Sequence, residues 1–238
     1  MAELSWLSLL WCGIPIAIVF AIYFFWEGDP KEVIFASLRM VIQLVAVGFV
    51  LVSIFENPSP WLSLVIVTIM LVIAAWIAIR PVRHHKGFMM PALVALSVSV
   101  TLHLGISIFL ILKLENWYQP SVLIPLAGMY FANAMNAISL AAERFHAELH
   151  TSVTADKARI TAFHAAMIPQ INGLLAVGLV ALPGMMTGQI LSGVSPLIAV
   201  RYQIMIMTMI LGTSGVGAAI MLWLLSKKGI QISNVENA

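Results

Sequence analysis

Residues Trp61–Ile79 read WLSLVIVTIMLVIAAWIAI, nineteen consecutive positions without one charged side chain. A helix needs about 20 such residues to cross the hydrocarbon core of a bilayer. The whole chain has the same character, because 61% of its 238 residues are hydrophobic and 9% are charged. Soluble domains are about half apolar and about a quarter charged. This composition excludes a soluble enzyme, a secreted disulfide scaffold and a disordered chain, and it predicts an integral membrane protein.

Seven apolar runs of this kind occur along the chain. Helix is the structure expected for each, because an open strand in lipid leaves backbone groups without partners. The predicted fold is therefore all-α and polytopic, with one transmembrane domain covering residues 1–238. The predicted spans are Leu4–Trp26, Val33–Phe55, Trp61–Ile79, Phe88–Leu112, Val122–Ala142, Met167–Gly188 and Leu197–Leu225.

The basic residues predict the orientation of these spans. With the N-terminus outside, nine of the 12 Lys and Arg residues fall on the cytoplasmic side. Only Lys113 falls outside, and Arg39 and Arg201 lie within or at the edge of spans. An excess of Lys and Arg marks cytoplasmic loops, so the predicted topology is N-out and C-in. The nine are Lys31, Arg80, Arg83, Lys86, Arg144, Lys157, Arg159, Lys227 and Lys228.

The longest polar segment is Glu143–His164, between the fifth and sixth spans on the predicted cytoplasmic side. Its apolar residues recur at helical spacing, which predicts short amphipathic helices lying at the membrane surface. These residues are Phe145, Leu149, Val153, Ile160 and Phe163.

The chain lacks the groups that would let it energise transport by itself. No Asp or Glu lies inside a predicted span, although coupled transporters usually need buried carboxylates. No GxxxxGK[ST] phosphate loop occurs. The stretch Gly212–Gly217, GTSGVG, lies inside the seventh span with no strand before it, and close helix packing is the interpretation we favour. Any uphill transport therefore takes its energy from a partner.

Polar side chains within the spans are the candidates for function. Arg39 and Gln43 share one face of the second span; Arg39 either extends to the interface or makes a polar contact inside the bundle. Asn133 and Asn136 lie three residues apart in the fifth span, where helix packing and ligand binding are both possible roles.

The sixth span is the most suggestive segment. It carries Gln170 and Asn172, and Pro169 and Pro183 bracket it. Prolines there predict local helix breaks with freed carbonyl groups, which often line substrate cavities.

Methionine and histidine side chains are two further kinds of candidate metal ligand in this sequence. Met185 and Met186 belong to a methionine cluster near the outer half, although Met is also an ordinary packing residue. His146 and His150 are one helical turn apart, a spacing suited to chelation or simply to a solvated surface. No acid or cysteine completes a ligand set, so the sequence predicts no definite metal site and no cofactor.

Three blocks of sequence resemble the Fet-type family of ABC-transporter permeases, bacterial iron exporters with relatives among plant aluminium-tolerance proteins. The resemblance implies a permease that pairs with itself and with two cytoplasmic ATPase subunits, exports iron, and resides in the bacterial inner membrane. One departure is the absence of the family's Leu-Gly-Ala docking element from Glu143–His164. The blocks are Arg39–Gly48, RMVIQLVAVG; Ile124–Met135, IPLAGMYFANAM; and Ile168–Gln170 with Val177–Gly188 and Ala199–Met205.

The leading hypothesis is a non-enzymatic permease subunit for a metal cation, driven by a separate ATPase. Two alternatives remain at this point: export of an organic anion or sugar-nucleotide-like metabolite, contacted by Arg39 and Arg201, and a membrane scaffold or sensor that transports nothing. The expected ATPase-docking residues are Phe145, Leu149 and Phe163. The expected substrate-pathway residues are Arg39, Gln43, Asn133, Asn136, Gln170, Asn172, Met185, Met186 and Gln189.

The asymmetry of basic residues generates a test of orientation. We expect a single cysteine placed at His85 to be protected from a membrane-impermeant thiol reagent in intact cells, and one at Glu115 to react. Both cysteines should react after the membrane is permeabilised. The opposite labelling pattern would contradict the N-out topology. The background chain for this measurement carries Cys12→Ser, because Cys12 is the only native cysteine.

Overall fold

A computed structural model of the chain describes residues 5, 7–85, 87–151 and 154–227. Within this part the fold is all-α and polytopic, as predicted, and six helical segments are long and apolar enough to cross a membrane. Lys86, Val153 and Lys228 lie outside the described residues, and the orientation stays a prediction. The helices are α1 Gly13–Phe25, α2 Pro30–Glu56, α3 Pro60–Ala78, α4 Met89–Gly105, α5 Pro120–Leu149, α6 Ala155–Ala176, α7 Gly184–Leu191 and α8 Pro196–Lys227.

Proline marks the beginning of α2, α3, α5 and α8. The first turn of a helix tolerates proline because its N–H groups have no partner within the helix. Ahead of α2, the Asp29 side chain accepts a hydrogen bond of 3.0 Å from the Lys31 N–H. Short 3₁₀ segments precede α1 and follow α3, and α4 continues as a π-helical segment, Ile106–Ile111.

The helices group into two compact units, Met1–Asn57 and Pro58–Ala238. In the first unit, α1 packs against α2, and nearly all of their apolar side chains are exposed. Apolar exposure of this kind suits contact with lipid or with another protein chain.

The second unit is built around α5, which packs against α3, α4, α6 and α8. Small residues dominate the buried faces, as expected where helix association in lipid depends on close van der Waals packing. On α6 the fully buried positions are Ala158, Ala162 and Ala166, spaced four residues apart. The matching fully buried alanines on α5 are Ala127, Ala134, Ala137, Ala141 and Ala142.

Two glycines of α8 lie close to side chains of α4. A Cβ atom added at Gly212 would lie 2.2 Å from His103 Nε2, and one added at Gly217 would lie 3.2 Å from Ser99 Oγ. The buried His103 ring is held by a 2.7 Å hydrogen bond between its Nδ1 and the Ser99 carbonyl. The predicted packing role of Gly212–Gly217 is therefore confirmed.

The predicted sixth span, Met167–Gly188, contains a helix break, as its prolines led us to expect. The chain leaves α6 after Ala176, turns over residues 177–183, and enters the eight-residue α7 at Gly184. Gly178 supplies the positive φ of +84° that this turn needs, and Pro183 caps α7. Pro169, expected to break the helix, lies inside α6 without ending it.

The expectation of short surface helices over Glu143–His164 is also wrong. Residues 143–149 continue α5 directly, and α6 begins at Ala155 and runs through His164. The helices α5 and α6 pack together, and Phe145 is fully buried in the core of the second unit. Of the predicted apolar residues that the structure describes, Phe145 is buried, Leu149 and Phe163 are partly buried, and Ile160 is exposed.

The approach at Gly212 generates a test of packing. Gly212→Ala would force a methyl group into the His103 ring, so we expect a destabilisation of about 1–3 kcal/mol and a lower melting temperature in detergent. Gly215→Ala, three residues along the same helix, is the matched control, because its Cβ would meet Met167 Cε at an ordinary 3.6 Å. Adding His103→Ala to Gly212→Ala should restore part of the loss. Equal melting temperatures for the two glycine variants would contradict the close approach.

Candidate functional site

Three of the predicted pathway residues line one cavity in the second unit. Asn133 and Asn136 come from α5 and Gln170 from α6, and together they line a space of about 220 Å³, here called the amide cavity. Pro169 lies beside Gln170 in its wall. The remaining lining residues are Leu140, Gly173, Leu174, Met207, Ile210 and Leu211.

Local hydrogen bonding orients the first of these amides. The Asn133 side-chain nitrogen donates to the Met129 carbonyl one turn earlier, at 2.8 Å. This bond uses one of the two N–H donors of the amide within its own helix, and the side-chain carbonyl oxygen is the group that can accept or coordinate. Asn136 is exposed, so the amide cavity is open to the surroundings on that side.

A second space adjoins the break between α6 and α7. It measures about 250 Å³ and is here called the Gln203 cavity, because Gln203 of α8 is its most buried polar lining residue. Leu174 and Met207 line both cavities, so the two are neighbours along the contact between α6 and α8. The other lining residues are Val177, Gly178, Leu182, Pro183, Met186, Val200, Ile204 and Thr208.

Gln203 carries an unusual polar atom. Its side chain is 93% buried, and its Oε1 has no hydrogen-bond partner among the described residues. A buried amide oxygen without a partner costs about 1–3 kcal/mol, so retention of glutamine in an otherwise apolar wall suggests a ligand that this oxygen receives. Thr208, in the same wall, uses its hydroxyl to donate to the Ile204 carbonyl at 2.8 Å.

Neither cavity is lined by a charged residue. Arg201 is exposed and lines neither of them. Side-chain carbonyl oxygens and methionine sulfur are electron-pair donors, so the chemistry of both walls suits a cation or a neutral polar molecule. In the described part of the chain, no group of three or more His, Cys, Asp or Glu side chains is placed to hold a metal ion.

Met186, a fourth predicted residue, lines the Gln203 cavity. The structure does not bring the other five predicted residues into the lining of either cavity. Asn172 is exposed on α6, Met185 is exposed on α7, and Gln189 lines neither space, although its Oε1 is buried without a hydrogen-bond partner among the described residues. Arg39 and Gln43 lie one turn apart on α2 of the first unit, Arg39 half-buried and Gln43 exposed.

Gln203 and Met207 line the cavities and carry an atom that could bind a ligand, but the sequence did not single them out as site candidates. The signal for Gln203 was present, because an amide in the middle of an apolar helix is the same observation that selected Asn133 and Gln170. Nothing in the sequence distinguishes Met207, a cavity methionine, from a methionine that only packs between helices.

Comparison with known proteins identifies the family. The model of an uncharacterised protein family, UPF0014, matches residues 6–230. The chain belongs to this family. Its relatives include the UPF0014 membrane protein slr1647 of Synechocystis, 35% identical over 90% of this chain and 89% of the relative. No solved structure matches.

Two named relatives confirm the resemblance drawn from the sequence blocks. One is the Probable iron export permease protein FetB of Escherichia coli, 31% identical over 83% of this chain and 81% of the relative. The other is Protein ALUMINUM SENSITIVE 3 of Arabidopsis thaliana, 29% identical over 79% of this chain and 73% of the relative. The chain is thus a multi-pass membrane protein of a family that includes a permease.

Proposed function

We propose that this UPF0014 chain is the permease subunit of an ABC transporter that exports a metal cation, with iron as the first candidate. The observation that carries the proposal is the uncharged amide cavity, where Asn133, Asn136 and Gln170 converge from two helices beside Met207. Iron itself comes from the name of the relative FetB.

The lining chemistry favours a cation over an anion. Side-chain amide oxygens replace part of the water shell of a hard cation, and a thioether sulfur adds a donor for softer ions. An organic anion would need a positive partner, because a buried charge without one is strongly disfavoured. Among the residues that the structure describes, no Lys or Arg lines either cavity. The metabolite alternative therefore lacks a binding group at this site.

The energy source is the second part of the proposal. The spans contain no carboxylate for proton or sodium coupling and the chain has no phosphate loop, so a separate ATPase subunit would drive transport. We further propose that two copies of the chain form the membrane part, in the bacterial inner membrane, as the resemblance to Fet-type permeases implies.

The docking surface would lie where α5 and α6 pack together. Leu149 and Phe163 are partly buried against the core, and Phe163 also lines a groove of about 630 Å³ between α6 and α8. Arg159 and His164 border this groove, while Ile160, Leu222 and Trp223 supply apolar walls. Its occupant would be an amphipathic ATPase helix with acidic residues beside its apolar face. Phe145, also expected to dock, is buried and takes no part in this surface.

The amide cavity is tested by transport. Asn133→Ala and Gln170→Ala should each lower iron-stimulated ATPase activity of the reconstituted permease–ATPase complex about tenfold, since a lost ligand worth about 1.4 kcal/mol is a factor of ten. Asn172→Ala is the matched control, because Asn172 is exposed on the same helix as Gln170 and lines neither cavity.

Iron uptake into inside-out proteoliposomes is the second measurement. Wild-type rates in both cavity variants, with intact complexes, would contradict the proposed pathway. Stimulation by an organic anion but not by any metal would favour the metabolite alternative.

The docking surface is tested by co-purification. Leu149→Ala with Phe163→Ala should reduce the ATPase recovered with the permease severalfold, because apolar anchors carry most of the binding energy of a helix in a groove. Leu102→Ala, on an exposed face of α4, should leave recovery unchanged. Unchanged recovery in the double variant would remove this surface from the proposal. Absence of any ATPase with the unmutated chain would favour the scaffold hypothesis.

A further inference from the structure

A cluster of three histidines lies outside both cavities, at the end of α5 that the basic residues predict to be cytoplasmic. His146 is in the last turn of α5, His150 is the C-cap residue of that helix, and His85 is in the loop that precedes α4. The His85 and His146 ring centroids are 4.0 Å apart, and those of His146 and His150 are 4.6 Å apart. The loop is held in place by a 3.0 Å backbone hydrogen bond from the His85 N–H to the Val82 carbonyl.

The distance between two ring nitrogens in this cluster is the distance expected for two ligands of one metal ion. His146 Nε2 and His150 Nε2 are 3.3 Å apart. Two imidazole nitrogens bound to one tetrahedral ion at 2.0–2.1 Å lie about 3.3–3.4 Å from each other. A direct N–H···N hydrogen bond is usually shorter, at about 2.7–3.2 Å for related donors and acceptors. The two nitrogens therefore already have the spacing of a pair of ligands on one ion.

The helix supplies this spacing without strain. Residues four positions apart lie on the same face of an α-helix, one turn above the other. His146 is half-buried between the ring of His85 and the edge of Phe88, whereas His150 is exposed. One ligand is thus restrained by packing and the other is open to solvent, so an ion can reach the pair directly from water.

We propose that His146 and His150 form a binding site for a divalent first-row transition metal ion. The protein supplies two nitrogens, and water completes the coordination, because the described residues contain no group of three or more His, Cys, Asp or Glu side chains placed around one ion. Imidazole suits Zn²⁺, Cu²⁺, Ni²⁺ and iron, and the affinity of such a site should be highest for Cu²⁺.

If the proposed transport function holds, the histidine pair would have a role in that transport. On the predicted cytoplasmic side, a two-histidine site would collect the ion to be exported before it enters the membrane part of the protein. Binding by the histidine pair does not require transport, so the two proposals can fail separately.

The test uses the full-length chain, purified in detergent through a histidine-free affinity tag, and Cu²⁺ as the probe. The electron paramagnetic resonance spectrum of one equivalent of Cu²⁺ should show coupling to two nitrogens. Zn²⁺ should displace the Cu²⁺ at a higher concentration. His150→Gln and His146→Gln should each weaken Cu²⁺ binding at least about tenfold, since loss even of an outer-sphere partner costs about 10–100-fold.

Matched controls come from the same side of the protein. His84 and His164 are exposed histidines outside the ring cluster, and His84→Gln and His164→Gln should retain the two-nitrogen spectrum. His150 is exposed, so His150→Gln should keep the wild-type melting temperature and separate a lost ligand from a lost fold.

Absence of the two-nitrogen spectrum in the wild-type chain would overturn the proposal, as would its persistence in both His146→Gln and His150→Gln. Either result would indicate that the 3.3 Å contact is a hydrogen bond between two rings. Neither result would affect the transport test of the amide cavity, because that test measures ATPase activity and iron uptake in variants of Asn133 and Gln170.

Discussion

The close approach of α4 and α8 is the constraint on which the second unit depends. At Gly212 the two helices are so near that any Cβ atom would overlap the His103 imidazole, and at Gly217 the neighbouring side chains belong to Ser99 and Ile138. Helices in lipid gain nothing from hiding apolar surface, since the lipid is equally apolar, and they associate through close packing instead. The absence of side chains at these positions permits the packing that holds the bundle together.

Small side chains, which allow helices to pack closely, also position the candidate site. Alanines on α5 and α6 bring those helices together on one side, while Asn133 and Asn136 of α5 and Gln170 of α6 line the opening between them and α8. The break after Ala176 ends α6 before it has run the full length of α8, and the Gln203 cavity fills the space beside the break. A continuous sixth helix would have filled this space with side chains.

Much of this arrangement was predictable from the sequence. The all-α membrane fold followed from uninterrupted apolar runs, and the packing role of Gly212–Gly217 followed from its position inside one of them. A helix break in the predicted sixth span was expected at Pro169 and Pro183. Pro169 is accommodated within α6, whereas the turn that follows α6 contains Gly178 and ends at Pro183. Periodicity also placed Phe145 on an apolar face without showing that this side chain is buried within the protein, because spacing along one helix carries no information about the neighbouring helices.

The absence of charge in the two cavities has a consequence for the proposed transport. A fixed carboxylate would bind a metal cation tightly and hold it, whereas amide oxygens and a thioether bind it more weakly, because they carry partial charges only. Conduction requires sites that an ion can enter and also leave. Leu174 and Met207 separate the two cavities, and of this pair only methionine offers a donor atom on a flexible side chain. Met207 is thus the one side chain shared by the two linings that could offer a cation a ligand.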